Sequence, residues 1–532
     1  MASYIKCYRD FSGGLSEAAN DHMADNQLRA AKNIMPGDGF GIARAFGTEH
    51  AFPQLPEPDF NQRAEAIVEL TLADGSIQTL AFVSYPAAHQ KLCRLAADGS
   101  AWQDLVVDIA RMRSYFIHAN KLYWLTGTAI KCYDGTAIND LSVSPAGESA
   151  TAEEVALWNR VKRAVAVEQR GQRWFYATPE NEVIFSEIGD PAAVRLSNII
   201  NINTRDDDTI TALQEFSGGL LIFKRRSVHF LTGWDFAGGS DIVLLRLNVT
   251  SGTAFPRTVR LMENAVLYLG MNGVYRLHAP SYSGEVSTEH LSLNRISEAL
   301  SAAGTLDDAF AEVWENTYFL SIRSRDTGDT HEYRYFPQHD AFFGEYTQRA
   351  SCYALLHDGR LYLGLFYGYF AVYDKQSRHY ISDIDGSEVA IPILAVTKGF
   401  DVAGNMAQDV RLRRLLLAAR QYAESASHLT LRVKTDAADL QYVLSLLDTA
   451  ESLTYGEGDL GETFWGWQDT VTKQLEIKRR GKRISFYLSD ETIDEPLLIY
   501  GLALLYQRRR PRGETAGVSR QLVDYTQEGG SA

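Results

Sequence analysis

Residues 208–236 read DTITALQEFSGGLLIFKRRSVHFLTGWDF, and residues 260–277 read RLMENAVLYLGMNGVYRL. Both stretches are made of short apolar runs separated by two to four residues. This is the pattern of tight antiparallel hairpins, with Gly218-Gly219 and Asn264 at the turns. The two stretches resemble each other, so the sequence indicates a repeated hairpin unit.

The same unit recurs along much of the chain. The turn that opens each strong hairpin strand returns at intervals of 43 to 52 residues. These turns lie at Gly75, Asn120, Gly171, Gly218, Asn264, Asn316 and Gly359. A period of this size, with about four short strands per unit, is typical of the blades of a β-propeller. We therefore predict an all-β protein with a six- or seven-bladed β-propeller over residues 61–389; the first turn belongs either to a blade or to a separate hairpin.

The segments on either side of the repeats have different patterns. Residues 1–60 are rich in glycine and proline turns and predict an irregular N-terminal arm, in which only Ser16–Ile34 has helical potential. Residues 390–510 predict a C-terminal β-sandwich, and residues 511–532 a disordered tail. The expected sandwich strands are Pro392–Lys398, Arg411–Ala418, Leu429–Lys434, Thr472–Lys478, Arg483–Leu488 and Leu497–Gln507.

Helical patterns are few. The predicted helices are Ala152–Arg163 and Leu293–Ala303, which interrupt the repeats, and Asp439–Leu453, which lies within the sandwich region. In the last of these, Leu440, Val443, Leu444 and Leu447 lie roughly on one face of a helix.

Charge is distributed unevenly along the 532 residues. The chain has 52 lysines and arginines against 67 aspartates and glutamates, a formal net charge of −15. Residues 1–389 contain 34 of the basic and 48 of the acidic residues, so the acidic excess is concentrated in the propeller region. Such a field repels nucleic acid and does not grip it. An ordinary solvated surface is the alternative interpretation.

The cysteines and the apolar runs indicate the compartment. The four cysteines, at positions 7, 93, 132 and 352, form no close pair, which argues against a disulfide framework or a zinc site and favours a reducing cytosol. The start of the sequence has no apolar core of signal-peptide length, and the longest apolar stretch, Leu497–Tyr506, is about half of a bilayer span. We expect a soluble protein that is not secreted by a signal peptide.

Motifs for catalysis are weak throughout. The twelve histidines are scattered without metal-ligand spacing, and no glycine-rich phosphate loop is complete. Asp206-Asp207-Asp208 would suit a divalent cation, but three adjacent acids are more typical of a solvated bend. We expect no metal, no cofactor and no enzyme activity. The enzymatic alternative, a propeller glycosidase, would require carboxylates that converge in the central pocket.

Basic clusters supply candidate interface or DNA-channel residues. They lie in the repeat quoted first and in the predicted sandwich, and contact with a neighbouring subunit, contact with a DNA backbone and plain solvation all remain open for them. The candidates are Lys224, Arg225, Arg226, Arg411, Arg413, Arg414, Arg479 and Arg480, together with Asp206, Asp207 and Asp208.

Several phrases of the chain, taken in order, resemble a family of structural proteins of tailed bacteriophages, the tail nozzle or packaged-DNA stabilisation proteins. The likeness covers residues 10–510 and is carried by the succession of phrases. These are DFSGGLSEAANDHMADNQLRAAKNI (Asp10–Ile34), VIFSEIGDP (Val183–Pro191), Ile210–Leu213, LIFKRRSV (Leu221–Val228), Leu231–Gly233 and Asn272–Tyr275.

The resemblance implies a virion protein without enzyme activity, made in the cytoplasm of a bacterial host. Its partners would be further copies of itself in a ring, commonly a hexamer, the portal and adaptor, and tail fibre or spike proteins. The ring would close the DNA channel and then conduct the genome during ejection, with transient contact to DNA and a possible approach to the host envelope. A bore lined with acidic residues would let DNA slide without sticking. The alternative from another class is a monomeric propeller adhesin that binds a host receptor or glycan.

Overall fold

A computed structural model describes most of the chain. The described residues are 3–56, 62–85, 89–202, 207–233, 242–278, 286–304, 306–325, 328, 330–403, 409–420, 428–446, 470–492 and 495–508. Within these ranges the chain forms 42 strands and two α-helices. No helix among the described residues is long and apolar enough to cross a membrane. The predicted disordered tail, residues 511–532, lies outside the described residues.

The first 50 residues contribute five short strands, although no stretch there shows a strong strand pattern. They are β1 (Ser3–Tyr8), β2 (Leu28–Lys32), β3 (Ile34–Pro36), β4 (Ile42–Arg44) and β5 (Gly47–His50). The helical potential of Ser16–Ile34 is a wrong prediction, because Leu28–Lys32 pairs as a strand with residues 394–397. Those long-range backbone hydrogen bonds outweigh a weak local preference.

Seven four-stranded antiparallel sheets follow in the described chain, and they are the blades of a β-propeller. Blade 1 is β6 (Ala64–Thr71), β7 (Ile77–Tyr85), β8 (His89–Leu95) and β9 (Trp102–Ala110). Blade 2 is β10 (Ser114–His118), β11 (Lys121–Leu125), β12 (Ile130–Tyr133) and β13 (Ile138–Asp140). Blade 3 is β14 (Ala166–Arg170), β15 (Arg173–Ala177), β16 (Glu182–Glu187) and β17 (Asp190–Asn201). Blade 4 is β18 (Ile210–Phe216), β19 (Gly219–Lys224), β20 (Val228–Thr232) and β21 (Val243–Arg246).

The last three blades lead to the sandwich. Blade 5 is β22 (Arg260–Met262), β23 (Ala265–Gly270), β24 (Gly273–His278) and β25 (Thr288–His290). Blade 6 is β26 (Leu306–Trp314), β27 (Thr317–Ser324), β28 (Thr330–Phe336) and β29 (Ala341–Tyr346). Blade 7 is β30 (Ala350–Leu355), β31 (Leu361–Leu365) and β32 (Phe370–Asp374), completed by β5. A hairpin of β33 (His379–Ile381) and β34 (Glu388–Ala390) follows it.

The repeat in the sequence therefore has a simple origin. Each of the seven turns used to measure it lies between the first and second strands of one blade. Gly75, Gly171, Gly218 and Gly359 adopt positive φ there, as does Asn120. Tight turns of this kind need a left-handed residue, which glycine and asparagine provide at the least steric cost. The propeller prediction is confirmed, and the number of blades is seven.

Adjacent blades are held together by apolar clusters. Each neighbouring pair of blades shares a cluster of buried side chains, including the pair that closes the circle, blades 7 and 1. In that closing cluster, Ile67 and Val83 of blade 1 pack with Cys352 and Val372 of blade 7. Burial of apolar surface between every pair of blades is the main force that holds the propeller shut.

The two helices lie where the sequence predicts helices. The first, α1 (Ala152–Val161), begins with a capping box in which Thr151 and Glu154 satisfy each other's backbone N–H groups. Its Leu157 and Trp158 pack between blades 2 and 3. The second, α2 (Ser297–Ala302), occupies part of the expected Leu293–Ala303 range. Both helices fill gaps between blades and carry no site of their own.

Two six-stranded sheets form the C-terminal β-sandwich of the described chain. Its own strands are β35 (Ile393–Thr397), β36 (Phe400–Asp401), β37 (Val410–Arg420), β38 (His428–Thr435), β39 (Asp439–Ser445), β40 (Thr470–Gly481), β41 (Arg483–Asp490) and β42 (Leu498–Arg508). The first sheet has the order β3-β4-β42-β37-β40 with β1 beside β42, and the second the order β2-β35-β41-β38-β39 with β36 beside β41. The six strands expected from the sequence are all present.

The helix predicted over Asp439–Leu453 is wrong for its described part, because Asp439–Ser445 is strand β39. Leu440, Tyr442 and Leu444 alternate toward the interior of the sandwich, and the strand pairs with β38. In such a short apolar run, the spacing of apolar residues fits both a strand, with a period of two, and a helix, with a period of 3.6. Pairing with β38 makes the segment a strand. Residues 447–453 lie outside the described residues.

The N-terminal strands join the sandwich to the propeller. β1 to β4 extend the two sandwich sheets, whereas β5 supplies the outermost strand of blade 7, paired with β32. Ala341, Phe343 and Tyr346 of blade 6 belong to the same apolar cluster as the sandwich core. The chain therefore closes its propeller with a strand that precedes all the blades, and the sandwich is packed against blade 6.

We expect Gly47→Ala to weaken this closure. A Cβ at Gly47, the first residue of β5, would lie 1.9 Å from the carbonyl oxygen of His379 and 2.8 Å from Oγ of Ser377. Because the closer of these two atoms belongs to the backbone, β5 must shift, and we expect a loss of about 3 kcal/mol of stability. Thermal denaturation would measure it. The control is Gly147→Ala, whose Cβ meets nothing within 4 Å; equal melting curves for the two variants would contradict the prediction.

Candidate functional site: an arginine-lined axial cavity

The first predicted basic cluster is a turn of blade 4. Lys224 ends β19 and is fully buried, whereas Arg225 and Arg226 form the exposed tip. The carboxylate of Asp208, itself 4% exposed, accepts hydrogen bonds from the backbone N–H of Arg226 (3.1 Å) and from Oγ of Ser227 (3.0 Å). Asp208 therefore fixes the shape of the turn.

The acidic run before blade 4 is not a single group of ligands. Asp207 is exposed with a left-handed φ of 51°, Asp208 is committed to the turn, and Asp206 lies outside the described residues. Within the described ranges, no group of three or more histidine, cysteine, aspartate or glutamate side chains is placed to hold a metal ion. For Asp207 and Asp208, a polar bend is therefore a better description than a cation site.

The remaining basic candidates lie together on one sheet of the sandwich. Arg411, Arg413 and Arg414 are on β37, and Arg479 and Arg480 are on the neighbouring edge strand β40. Arg411 is directly opposite Arg480, and the guanidinium of Arg413 donates to Oε1 of Gln507 at 2.7 and 3.0 Å. Arg411, Arg414, Arg479 and Arg480 are exposed. The structure thus joins two clusters that are distant in sequence and leaves the blade 4 turn apart from them.

A cavity of about 1010 Å³ occupies one end of the propeller axis. Its lining includes the innermost strand of each of the seven blades, β6, β10, β14, β18, β22, β26 and β30. Most of the lining lies near the beginnings of these strands and in the loops around them, including the tip residue Arg225. The axial end of a propeller is a common place for a binding site because loops from all blades converge there.

Arginines dominate the charged part of this lining. Six are present with three carboxylic acids. The arginines are Arg111, Arg113, Arg225, Arg257, Arg260 and Arg325, and the acids are Glu65, Glu168 and Asp308. In a chain with a net charge of −15, the axial cavity is therefore a local region of positive charge.

One ion-pair network ties blades 1 and 6 together across the cavity wall. Arg111 donates from Nε to Glu65 (3.0 Å) and from Nη2 to Asp308 (2.7 Å), and Arg63 donates to the other oxygen of Asp308 (3.1 Å). Burial alone would raise the pKa of Asp308, but Arg111 and Arg63 outweigh it and lower that pKa. Both carboxylates are thereby engaged by arginines of the cavity wall.

Arg257 is a partly buried arginine of the lining. Its Nη2 donates to the backbone carbonyl of Glu65 at 2.5 Å, and its guanidinium lies 5.2 Å from the ring centroid of Phe310. Burial lowers the pKa of Arg257 and the nearby Arg111 acts in the same direction, whereas Glu65 and Asp308 oppose the shift. The guanidinium is thus held in place by a carbonyl and an aromatic face.

Glu168, on the innermost strand of blade 3, is the third cavity carboxylate. Its pKa is raised to about 7, mainly by burial, and the Glu215 carboxylate acts in the same direction. The backbone N–H of Glu215, which donates to Glu168 at 3.0 Å, and the nearby Arg260 oppose the shift. The carboxyl group therefore carries a proton at a pH where ordinary glutamates are ionised.

We expect Glu168→Gln to raise the melting temperature at pH 8 and to leave it nearly unchanged at pH 4. The native state keeps a proton that the unfolded chain releases above pH about 4.5, so stability is lost as the pH rises from there to about 7. Glutamine does not ionise and avoids that loss, which amounts to about 3 kcal/mol at most. Thermal denaturation of both proteins at the two pH values measures the effect. Parallel pH profiles would contradict it.

Sequence reasoning missed most of this cavity because it searched for contiguous basic runs. Its arginines come in loose pairs at blade junctions, such as Arg111 with Arg113 and Arg257 with Arg260. Only Arg225 was among the predicted candidates. A search for arginines at the same phase of the repeat, just before the first strand of each blade, would have found several of the others.

The chain has no match among family models or curated proteins. Solved structures similar to it include the extracellular domain of the putative one component system BT4673 from B. thetaiotaomicron (10% identity, TM-score 0.37, 69% of this chain and 43% of that one). A protein from Lactobacillus plantarum (12%, 0.36, 57% and 88%) and U3-55K (9%, 0.37, 60% and 99%) are also similar. This chain spans less than half the length of the first. At these identities and TM-scores, the similarities say nothing about function.

Proposed function

We propose that this protein is a structural virion protein of a phage tail, a ring-forming nozzle or connector subunit that helps to close the DNA channel and conducts the genome during ejection. The observation that carries the proposal is the position of the phrases that resemble the tail family. They fall on the junction between the sandwich and the propeller and on strands and turns of the blades.

The first phrase, Asp10–Ile34, runs between the sandwich and the propeller. Gly14 has a left-handed φ of 62°, and a Cβ there would lie 2.4 Å from the carbonyl oxygen of Phe342 in blade 6. The backbone N–H of Leu15 donates to that same carbonyl at 2.8 Å, and the N–H of Leu28 donates to Gly14 at 2.8 Å. Gly14 therefore lets the chain pass close to blade 6 before it enters the sandwich. This segment joins the propeller to the sandwich.

The later phrases occupy the blades themselves. Val183–Pro191 forms β16 and the turn into β17. Ile210–Leu213, Leu221–Val228 and Leu231–Gly233 lie on three strands of blade 4, and Asn272–Tyr275 forms the turn into β24. Such positions determine the shape of a subunit. A rigid propeller with protected strand edges and broad loop faces suits a part that packs against identical neighbours.

The expected partners follow from this proposal. They are further copies of the chain in a ring, the portal and adaptor, and fibre or spike proteins, with transient contact to genomic DNA. The acidic excess of residues 1–389 is proposed to face the bore, where it would limit binding to phosphates. In a ring structure, a bore lined mostly with lysine and arginine would overturn this part of the proposal.

Native mass measurement of the purified chain, followed by electron microscopy of whole particles, tests the proposed function. A discrete ring of about six copies, and density for the propeller in the tail of particles, is the expected result. A chain that stays monomeric at high concentration and has no density in any particle would overturn it and favour the adhesin alternative. A monomer that appears as a ring only in particles supports the proposal with assembly driven by a partner.

A further inference from the structure

We propose that the axial cavity binds a small organic anion through its carboxylate or phosphate groups. This inference goes beyond the proposed function and does not depend on it, because it rests only on the side chains that line the cavity.

The lining of the axial cavity has more basic than acidic residues. The six arginines outnumber the three carboxylic acids two to one, although the whole chain is strongly acidic. The described lining contains no lysine. The planar guanidinium of arginine forms paired hydrogen bonds with carboxylate and phosphate oxygens, which a lysine ammonium does not.

The three acids of the lining are not shared evenly among its six arginines. Glu65 and Asp308 are both engaged by Arg111, and Asp308 also by Arg63 outside the lining. Arg257, in contrast, uses its hydrogen bond on a backbone carbonyl. A guanidinium has several N–H donors, and a partly buried one that gives a hydrogen bond to a carbonyl has donors left for an incoming anion.

The volume and the apolar lining of the cavity suit an organic ligand. A volume of about 1010 Å³ is near the upper end of the usual range for small-molecule sites, so a ligand of moderate size fits with water around it. Met112, Phe255 and Tyr353 line the same cavity and give an apolar wall for the carbon skeleton of the ligand. The exposed tip residue Arg225 also lines the cavity, which places a guanidinium within reach of solvent.

The turn that carries Arg225 offers a matched pair of variants. Arg225 and Arg226 are adjacent and both exposed, but only Arg225 lines the cavity. The backbone of this turn is fixed by Asp208, through the N–H of Arg226 and Oγ of Ser227. Substitution of either arginine side chain therefore leaves the fold of the turn in place.

The experiment is calorimetric titration of the full chain at low salt with inorganic phosphate, glucose 6-phosphate and glucuronate, and with glucose as the neutral control. We expect at least one of the three anions to bind and glucose not to bind. Binding of the two phosphates alone identifies a phosphate ligand, and binding of glucuronate alone identifies a carboxylate ligand. Either outcome supports the proposal.

Arg225→Gln is expected to weaken the binding about tenfold or more, which is the loss of one charge-assisted hydrogen bond. Arg226→Gln is expected to leave it unchanged, and equal melting temperatures would show that both variants are folded. Failure of all three anions to bind would overturn the proposal. So would an equal loss in both variants, because that is the behaviour of diffuse surface charge. Neither result would bear on whether the chain forms a ring.

Discussion

Arg334→Met is expected to destabilise the propeller by about 3–5 kcal/mol, because it leaves a buried carboxylate without its cation. Arg334 and Glu332 lie on β28 with fully buried side chains, and their Nε and Oε1 atoms are 2.8 Å apart. The hydroxyl of Tyr373, on blade 7, contacts both groups. The expected result is a large fall in the denaturant concentration at which the chain unfolds, followed by near-ultraviolet circular dichroism.

Aromatic rings surround Arg334, whose side chain is fully buried. Its guanidinium carbon lies 3.8–4.9 Å from the centroids of four rings. These rings belong to Phe46, Phe319, Tyr346 and Tyr373. Phe46 directly precedes β5, so the cation is at the centre of the contact between the N-terminal strand and blades 6 and 7. Arginine stacks on such faces far better than other cations do.

The matched control is the double variant Glu332→Gln/Arg334→Met. It removes both charges, and the glutamine can still accept hydrogen bonds from the tyrosine hydroxyls. We expect it to be clearly more stable than Arg334→Met alone, since the larger part of the loss is the isolated charge. If the single variant unfolds at the same denaturant concentration as the parent, the ion pair has no role in closing the propeller.

Deletion of residues 1–50 is expected to abolish the soluble, folded protein. Blade 7 would lose β5 and expose the edge of β32, and the sandwich would lose strands from both sheets. Asp490, whose side chain is 1% exposed, would also lose its ion-pair partner Arg44. Unpaired strand edges and a buried lone charge both favour aggregation over folding. Solubility after expression and size-exclusion chromatography would measure the outcome.

Two comparisons make this result specific. Deletion of residues 1–8 removes β1 only and leaves β5 and Arg44 in place, so we expect a soluble protein of reduced stability. Expression of residues 1–56 as a separate chain beside the large deletion is expected to restore part of the folded protein, as a donated strand does in strand-complementation systems. A soluble, monomeric protein from the large deletion alone would show that the N-terminal strands are accessory.

Local patterns were enough to predict the blades. Tight turns need Gly75, Gly171 or a similar residue with a left-handed φ where two short strands meet, and a glycine or asparagine provides it at six of the seven repeats. The sandwich strands were found for a related reason, since a sheet with one buried face alternates apolar and polar residues. In β37, for example, Leu415, Leu417 and Ala419 are buried and alternate with more exposed neighbours.

Pairings between distant residues could not be predicted in the same way. β5 has the sequence GTEH, which carries no strand signal, and it is a strand because β32 presents an open edge more than 300 residues later. The arginines of the axial cavity were missed for the same reason. Arg111, Arg225 and Arg257 belong to different blades, and only the closed circle brings them around one space.

The pairing of β1 with β42 has a consequence for the order of events during synthesis. Residues 3–8 pair with residues 502–507, so β1 has no partner until the ribosome has added about 500 further residues. At ordinary rates of translation, roughly 5–20 residues per second, this is a delay of about half a minute or more. Strand β40, which completes the same sheet, is also made late. A chain that stops before β42 therefore cannot form the complete sandwich, and a surface built on that sheet is present only on chains that contain β42.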